Sequence, residues 1–274
     1  MGTRGGPGLR RPRLVATDLD GTLLRSDGSV SERTRAAWAA ADEAGIETVL
    51  VTARPPRWLH DLEHVVGPRG IAICGNGAFV YEVAGRRLLE THCFEDGVVE
   101  GIIADLTTAV PSVAFLAERA SGPYLGPGYP DPHDDMLVEG AAHGPVEGIG
   151  AEPVGKLLAV TGGMPLEEFL ATVESVVGDR GHLHFSGAFG LAEINAPGVT
   201  KATALERWAG RLGIEAADVW AFGDMPNDLP MLEWAGVGWA VANAHPDVAA
   251  VADRSCPAND EDGVAHALEA VLST

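Results

Sequence analysis

Cysteine is scarce in this 274-residue chain: Cys74, Cys93 and Cys256 are an odd number without metal-ligand spacing. No disulfide framework is expected, and the three read as reduced thiols of a cytoplasmic protein. Basic residues are few as well. Nineteen Lys and Arg face 39 Asp and Glu, a net charge of −20. That balance argues against sequence-independent nucleic-acid binding, which needs basic surface to displace counterions, and against an anionic membrane surface. Apolar runs are too short to span a bilayer. Residues 1–13, rich in Gly and Arg, lack the apolar centre of a signal peptide, and Gly6 stands where a myristoylation site requires Ser or Thr. Internal repeats are missing too. What remains is 46% hydrophobic and 21% charged, as in soluble globular proteins, and long enough for one large domain or two ordinary ones.

The chain is organised around Asp18-Leu19-Asp20-Gly21-Thr22-Leu23-Leu24, which follows the short apolar run Arg13 to Thr17. Such a run reads as a buried strand, so both carboxylates arrive at a strand end. Residues two apart in extended chain share a face, so Asp18 and Asp20 can converge despite their repulsion. Two close carboxylates are costly without a cation. Mg²⁺, a hard ion shared between carboxylates and substrate phosphate, is the expected cofactor.

A helix is expected from Ser31 as N-cap to Gly45 as stop, then a strand over 46–51 ending at Thr52-Ala53-Arg54. Strand, helix and strand make a βαβ unit with parallel strands, which brings Thr52 beside Asp18. A helix carrying Trp58, Leu59, Leu62, Val65 and Val66 follows, then a strand over Ile71–Cys74 closed by Gly75-Asn76-Gly77. From about Arg86 to Asn195 the texture changes to alternating stretches, helices and a long Pro/Gly loop over 121–135, and an inserted domain is expected. The first pattern resumes with a helix from Lys201, an apolar strand Val219–Phe222, the turn Gly223-Asp224-Met225-Pro226-Asn227-Asp228 and a strand over 238–241. Asn259 to Val264 caps the last helix.

Asp18/Asp20, Thr52, Lys201 and Asp224/Asn227/Asp228 thus sit at strand ends and can meet in one cleft. A carboxylate attacking phosphorus needs a metal to offset charge, a Lys to contact the transferred oxygens and an acid for the leaving oxygen. These groups contain each part. Taken singly they have plainer readings: a solvated turn for Asp-x-Asp, helix capping for Asp224 and Asp228, a surface position for Lys201. His182 and His184 lie two apart on a strand without an evident third ligand. His133-Asp134-Asp135 face substrate or solvent. Cys74, Trp38, Trp58, Trp208 and Trp220 read as core.

At these residues the chain resembles the haloacid dehalogenase superfamily, specifically its Cof-type hydrolases, which include many sugar phosphatases. The first motif is Asp18-x-Asp20-Gly21-Thr22-Leu23, the second Thr52-Ala53-Arg54, the third Gly198-Val199-Thr200-Lys201 and the fourth Gly223-Asp224-x-x-Asn227-Asp228. Similarity continues through Asn76-Gly77-Ala78, Ala242-Asn243-Ala244 and Asn259 to Val264. The second motif departs from the usual Thr-Gly-Arg, but alanine keeps the backbone N–H. The resemblance implies an α/β fold, a Rossmann-like parallel-sheet core over 13–85 and 196–274 with an inserted α/β cap over 86–195, after a loose tail over 1–12. It also implies roles. Asp18 is the nucleophile that forms an aspartyl-phosphate. Asp20 protonates the leaving oxygen and then activates water. Mg²⁺ is held by Asp18, the Asp20 carbonyl and Asp224, with Asp228 close by. Thr52, Lys201, Asn227 and the backbone N–H groups of Leu19 and Ala53 hold the phosphoryl group. The expected function is a Mg²⁺-dependent phosphatase for a small phosphomonoester such as a sugar phosphate, working as a monomer or homodimer. A phosphotransferase or mutase sharing the intermediate, and a non-catalytic phospho-ligand-binding regulator, are the alternatives.

Overall fold

A computed structural model describes residues 10–130, 141–185 and 190–273. The expected 1–12 tail lies mostly outside these residues, as does His133-Asp134-Asp135.

Apolar runs of four or five residues form the strands of a first sheet: β1 (Leu14–Thr17), β2 (Glu47–Val51), β3 (Ile71–Cys74), β4 (Phe79–Glu82) and β5 (Arg87–Thr91). After the insertion, β12 (Val219–Gly223), β13 (Val237–Val241) and β14 (Arg254–Cys256) complete it in the order β14-β13-β12-β1-β2-β3-β4-β5. The six strands from β14 to β3 are parallel, and β4 and β5 form an antiparallel edge hairpin. The inserted region was expected to begin at residue 86. Backbone pairing of β5 with β4 instead keeps residues 87–91 in the first sheet.

Strand alternation splits the apolar side chains between two helical layers. On one face Leu14, Ala16, Val49 and Ala221 pack with Ala202, Leu205 and Ala209 of α5 (Lys201–Arg211). On the other, Val15, Leu50 and Trp220 pack with Trp38 of α1 (Glu32–Glu43) and Leu268 of α8 (Gly263–Leu272). Ser31 caps α1 by accepting the Thr34 N–H, and Gly45, at φ +79°, ends it in a conformation other residues resist. The helix expected around Trp58 is a 3₁₀ stretch, Pro56–Leu62, running into the short α2 (Glu63–Val66).

The second sheet has the order β10-β11-β9-β6-β7-β8. Its strands are β6 (Ala114–Arg119), β7 (Gly122–Leu125), β8 (Ala142–His143), β9 (Val154–Val160), β10 (His182–His184) and β11 (Leu191–Asn195). One face is covered by α3 (Val98–Ala109) and α4 (Leu166–Val177). The expected loop over 121–135 is shorter than its Pro/Gly content suggested, because residues 122–125 pair with β6. Between β12 and β14, α6 (Leu229–Trp234) and α7 (Pro246–Val251) join the layer of α5. Among the described residues no helix is long and apolar enough to cross a membrane.

Candidate active site

In register, Thr17 of β1 lies beside Phe222 of β12 and Leu50 of β2, so three parallel strands end at one edge. Asp18 is the next residue, still tied to β12 by its N–H on the Phe222 carbonyl at 2.9 Å. Thr200 caps α5 through the Thr203 N–H, which sets Lys201 as the first helical residue, 1% exposed. Its ammonium donates to Asp18 Oδ1 at 2.6 Å and to Asp228 Oδ1 at 2.7 Å. The other Asp228 oxygen accepts the N–H groups of Asp224 and Met225, both at 3.1 Å, which folds the Gly223–Asp228 turn around it. Asp224 in turn accepts the Thr22 hydroxyl at 2.7 Å.

Carboxylate oxygens of Asp18, Asp224 and Asp228 lie within 4.8 Å of one another, all three buried. Burial pushes the Asp18 carboxyl well above its ordinary value even with Lys201 opposing, and Asp228 and Asp224 add to the rise. Burial is also the main reason that Asp224 is pushed up to about 6, against the Thr22 hydrogen bond. Burial alone would lower the Lys201 ammonium, but attraction to Asp18 and Asp228 outweighs it and holds the group above lysine's ordinary value. Three carboxylates share one ammonium, an excess of negative charge on hard oxygen donors. That donor set fits Mg²⁺. Gly21 is required twice here: its φ is +79°, and a Cβ at this position would run into the Asp224 carboxylate.

Asp20 has different surroundings. Its carboxylate is 58% exposed and held by the Arg54 guanidinium, Nε to Oδ2 at 2.8 Å and Nη2 to Oδ1 at 2.5 Å. Asp18, Asp20, Ala53, Lys201 and Asn227 all line one cavity of about 910 Å³, bounded by the ends of the first sheet and by the second sheet. Leu19 and Thr52 are fully buried and outside that wall; the Thr52 hydroxyl accepts the Arg54 N–H at 3.1 Å. Asn227 donates its amide to Asn76 at 3.3 Å.

Several residues that the sequence motifs contained without an assigned role, or that went unnamed, carry the site. Arg54 and Thr22 were visible only as motif letters. Asn243 donates to the Gly21 carbonyl at 2.8 Å and Asn259 to the Leu24 carbonyl at 2.9 Å, so both anchor the Asp18 loop. Lys156 and Glu193 form a buried ion pair in the cavity wall, and Lys156 also reaches the Ala53 carbonyl at 2.9 Å. Their signal was a charge inside an otherwise apolar strand. Trp58, expected in the core, lies on the 3₁₀ stretch and lines the cavity instead.

The remaining candidates have other roles. His182 and His184 lie on β10 with ring centroids 4.7 Å apart. His184 is buried on the Val199 carbonyl, and burial, with His182 adding, lowers it to about 3. Among the described residues the carboxylate triad is the one group of three side chains placed to hold a metal. Cys74 is wholly buried, which pushes its thiol far up, and Trp38 and Trp220 are core.

A family model of haloacid dehalogenase-like hydrolases matches residues 15–268. The chain is 29% identical over 270 residues to the 5-amino-6-(5-phospho-D-ribitylamino)uracil phosphatase YitU of Bacillus subtilis, across 96% of this chain and 98% of that one. It is 28% identical over 245 residues to the HMP-PP phosphatase of Cronobacter sakazakii, across 87% of each. The fold matches the crystal structure of SMU.1108c from Streptococcus mutans with a TM-score of 0.83 at 24% identity, over 96% of this chain and 100% of that one. With the match running from β1 to the last helix, and the carboxylate triad, its lysine and the inserted second sheet all in place, this chain belongs to the haloacid dehalogenase-like hydrolases, Cof type, and is a phosphoric monoester hydrolase.

Proposed function

We propose that the chain is a Mg²⁺-dependent phosphatase that moves the phosphoryl group of a small phosphomonoester first to Asp18 and then to water. The observation that carries this reading is the Lys201 ammonium, which grips Asp18 and Asp228 in the volume that Asp224 also enters. In the first step an Asp18 oxygen bonds to phosphorus while the ester P–O bond breaks, and Asp20 gives its proton to the leaving oxygen. In the second, water attacks the phosphorus of the aspartyl-phosphate, Asp20 takes the water's proton, and phosphate leaves with Asp18 restored. Arg54 holds the ionised Asp20 at the cavity mouth through both carboxylate oxygens, and one of them must leave the guanidinium to carry the proton that Asp20 gives to the leaving oxygen. Ala53, Lys201 and Asn227, which line the cavity, would hold the phosphoryl oxygens, and the Thr52 hydroxyl and Leu19 N–H, buried behind that wall, are the further contacts that the family resemblance implies.

Asp18, Asp224, Asp228 and the Asp20 carbonyl would hold Mg²⁺, which when bound offsets the charge of the phosphate beside these carboxylates. The strongly acidic exterior does not prevent anion binding, because charges beyond about 10 Å are screened by salt and the local cations dominate. A sugar phosphate is the class that the family resemblance implied. The relatives named above carry the names of phosphatases for a ribitylaminouracil phosphate and for HMP-PP, so the reaction serves other leaving groups as well.

The test is phosphate release from a panel of sugar, nucleotide and cofactor phosphates, each with Mg²⁺ and with chelator. Turnover that requires Mg²⁺ is expected. Folded protein that releases no phosphate across the panel would overturn the reading.

A further inference from the structure

We infer that the leaving group selected by this site has an aromatic or otherwise apolar body, rather than a bare polyhydroxylated sugar; the inference rests on the phosphatase reading above. It comes from which side chains the second sheet turns toward the cavity, and from what is already bonded there.

Side chains alternate along β6, β9 and β11. Phe115, Ala117, Leu157, Ala159, Ala192 and Ile194 point to the helical layer and join the core. The intervening residues form the cavity wall. Leu116 lies opposite Leu158, and Leu191 opposite Val160, so four apolar side chains make one continuous patch across three strands. Trp58 and Met225 extend it from the first sheet.

The charged residues on the same face are Glu118, Lys156 and Glu193, each at most 5% exposed. All three are engaged within the protein. Glu118 takes the Arg57 guanidinium, with Nη2 to Oε1 at 2.8 Å. Lys156 pairs with Glu193 and donates to the Ala53 carbonyl, and Glu193 also accepts the Asn76 amide at 2.8 Å. At the rim, the Ser112 and Thr161 hydroxyls bond each other at 2.8 Å. Among the described residues, this charged row thus serves to hold the second sheet to the first, and the surface that β6, β9 and β11 leave to a leaving group is apolar. Sugar hydroxyls laid on the Leu116–Leu191 patch would lose water and gain no partner, whereas an aromatic ring would lose nothing polar. Trp58, with the Arg57 guanidinium 5.5 Å from its ring centroid, offers a ring to pack against.

The experiment compares kcat/KM with Mg²⁺ for acetyl phosphate, glucose 6-phosphate and 2-naphthylmethyl phosphate. Acetyl phosphate is too small to need the cap wall and reports the phosphatase chemistry. The naphthylmethyl ester is expected to exceed glucose 6-phosphate by at least about tenfold, the scale of apolar-pocket discrimination. In Leu158→Gln, checked for folding by its thermal transition, that ratio is expected to fall by about tenfold. Turnover of acetyl phosphate together with equal or better use of glucose 6-phosphate by the unmodified protein overturns the inference and spares the phosphatase reading. No turnover of any of the three overturns both.

Discussion

Replacing Lys201 by Met keeps most of the apolar stem of the side chain and removes one buried charge. In the folded protein that charge answers Asp18 at 2.6 Å and Asp228 at 2.7 Å, with Asp224 nearby, and the ammonium is 1% exposed. Removing one partner of a buried pair costs about 3–5 kcal/mol. Here one cation serves two carboxylates, so the upper end, about 5 kcal/mol, is expected without metal. At about 2–4 °C per kcal/mol for a chain of this size, the melting temperature should fall by about 10–20 °C. The sign with pH follows from the same groups. The Lys201 ammonium is raised above its ordinary value, so its contribution is complete below lysine's unfolded value and is lost only as pH climbs through the raised one. Asp18 is raised by burial, so the folded state prefers it protonated, and its ionisation costs stability as pH rises above the ordinary carboxylate range. Without the lysine this second effect grows. The gap between variant and parent, measured by calorimetry in chelator, should be wide at pH 8 and narrower at pH 5. A gap of less than about 1 kcal/mol at pH 8, or one that does not change with pH, would refute the reasoning.

Asp20→Asn should slow phosphate release by about 10²–10⁴-fold while leaving the melting temperature nearly unchanged, since its carboxylate is 58% exposed; initial-rate kinetics and a thermal scan check both halves. Gly21→Ala should destabilise by at least about 1 kcal/mol, through the positive φ alone, and should weaken Mg²⁺ binding by pushing on the Asp224 carboxylate, measurable by titration calorimetry. His184 is lowered to about 3 in the fold against an ordinary 6.5, chiefly by burial, so its neutral form is the stable one. Stability should therefore fall as pH drops below about 6.5, by about 2 kcal/mol at pH 5, and the slope should disappear in His184→Gln. Urea denaturation at several pH values reads it.

The core of the fold was legible because its signals are local. Short apolar runs ending in Asp, Thr or Gly mark parallel strand ends, and Ser31 and Gly45 mark helix bounds by capping chemistry. Asp18, Asp224 and Asp228 could be placed in one cleft from the strand ends, and Lys201 joined them through the family resemblance. Arg54 on Asp20 and Thr22 on Asp224 could not, because a side chain's partner across 34 or 202 residues leaves no periodic trace. The β4–β5 hairpin was missed at residue 86 because Arg87 to Thr91 forms an edge strand of mixed polarity, without the buried run that marked β1 to β3. In the second sheet, alternation tells that two faces exist but not which one looks into a cavity. Leu116 and Leu158 were therefore indistinguishable from core, and so was Trp58 on its 3₁₀ turn.

Detecting phosphorus on Asp18 tests the central claim most directly. Asp20→Asn lacks the base for the second step, and a substrate with a good leaving group, such as 4-nitrophenyl phosphate, does not need the acid for the first. Rapid mixing of this variant with that substrate and Mg²⁺, acid quench and peptide mass spectrometry should find one phosphoryl group on the peptide containing Asp18, absent in Asp18→Asn. Release of 4-nitrophenol by this variant with no phosphorylated Asp18 at any time point would contradict the account.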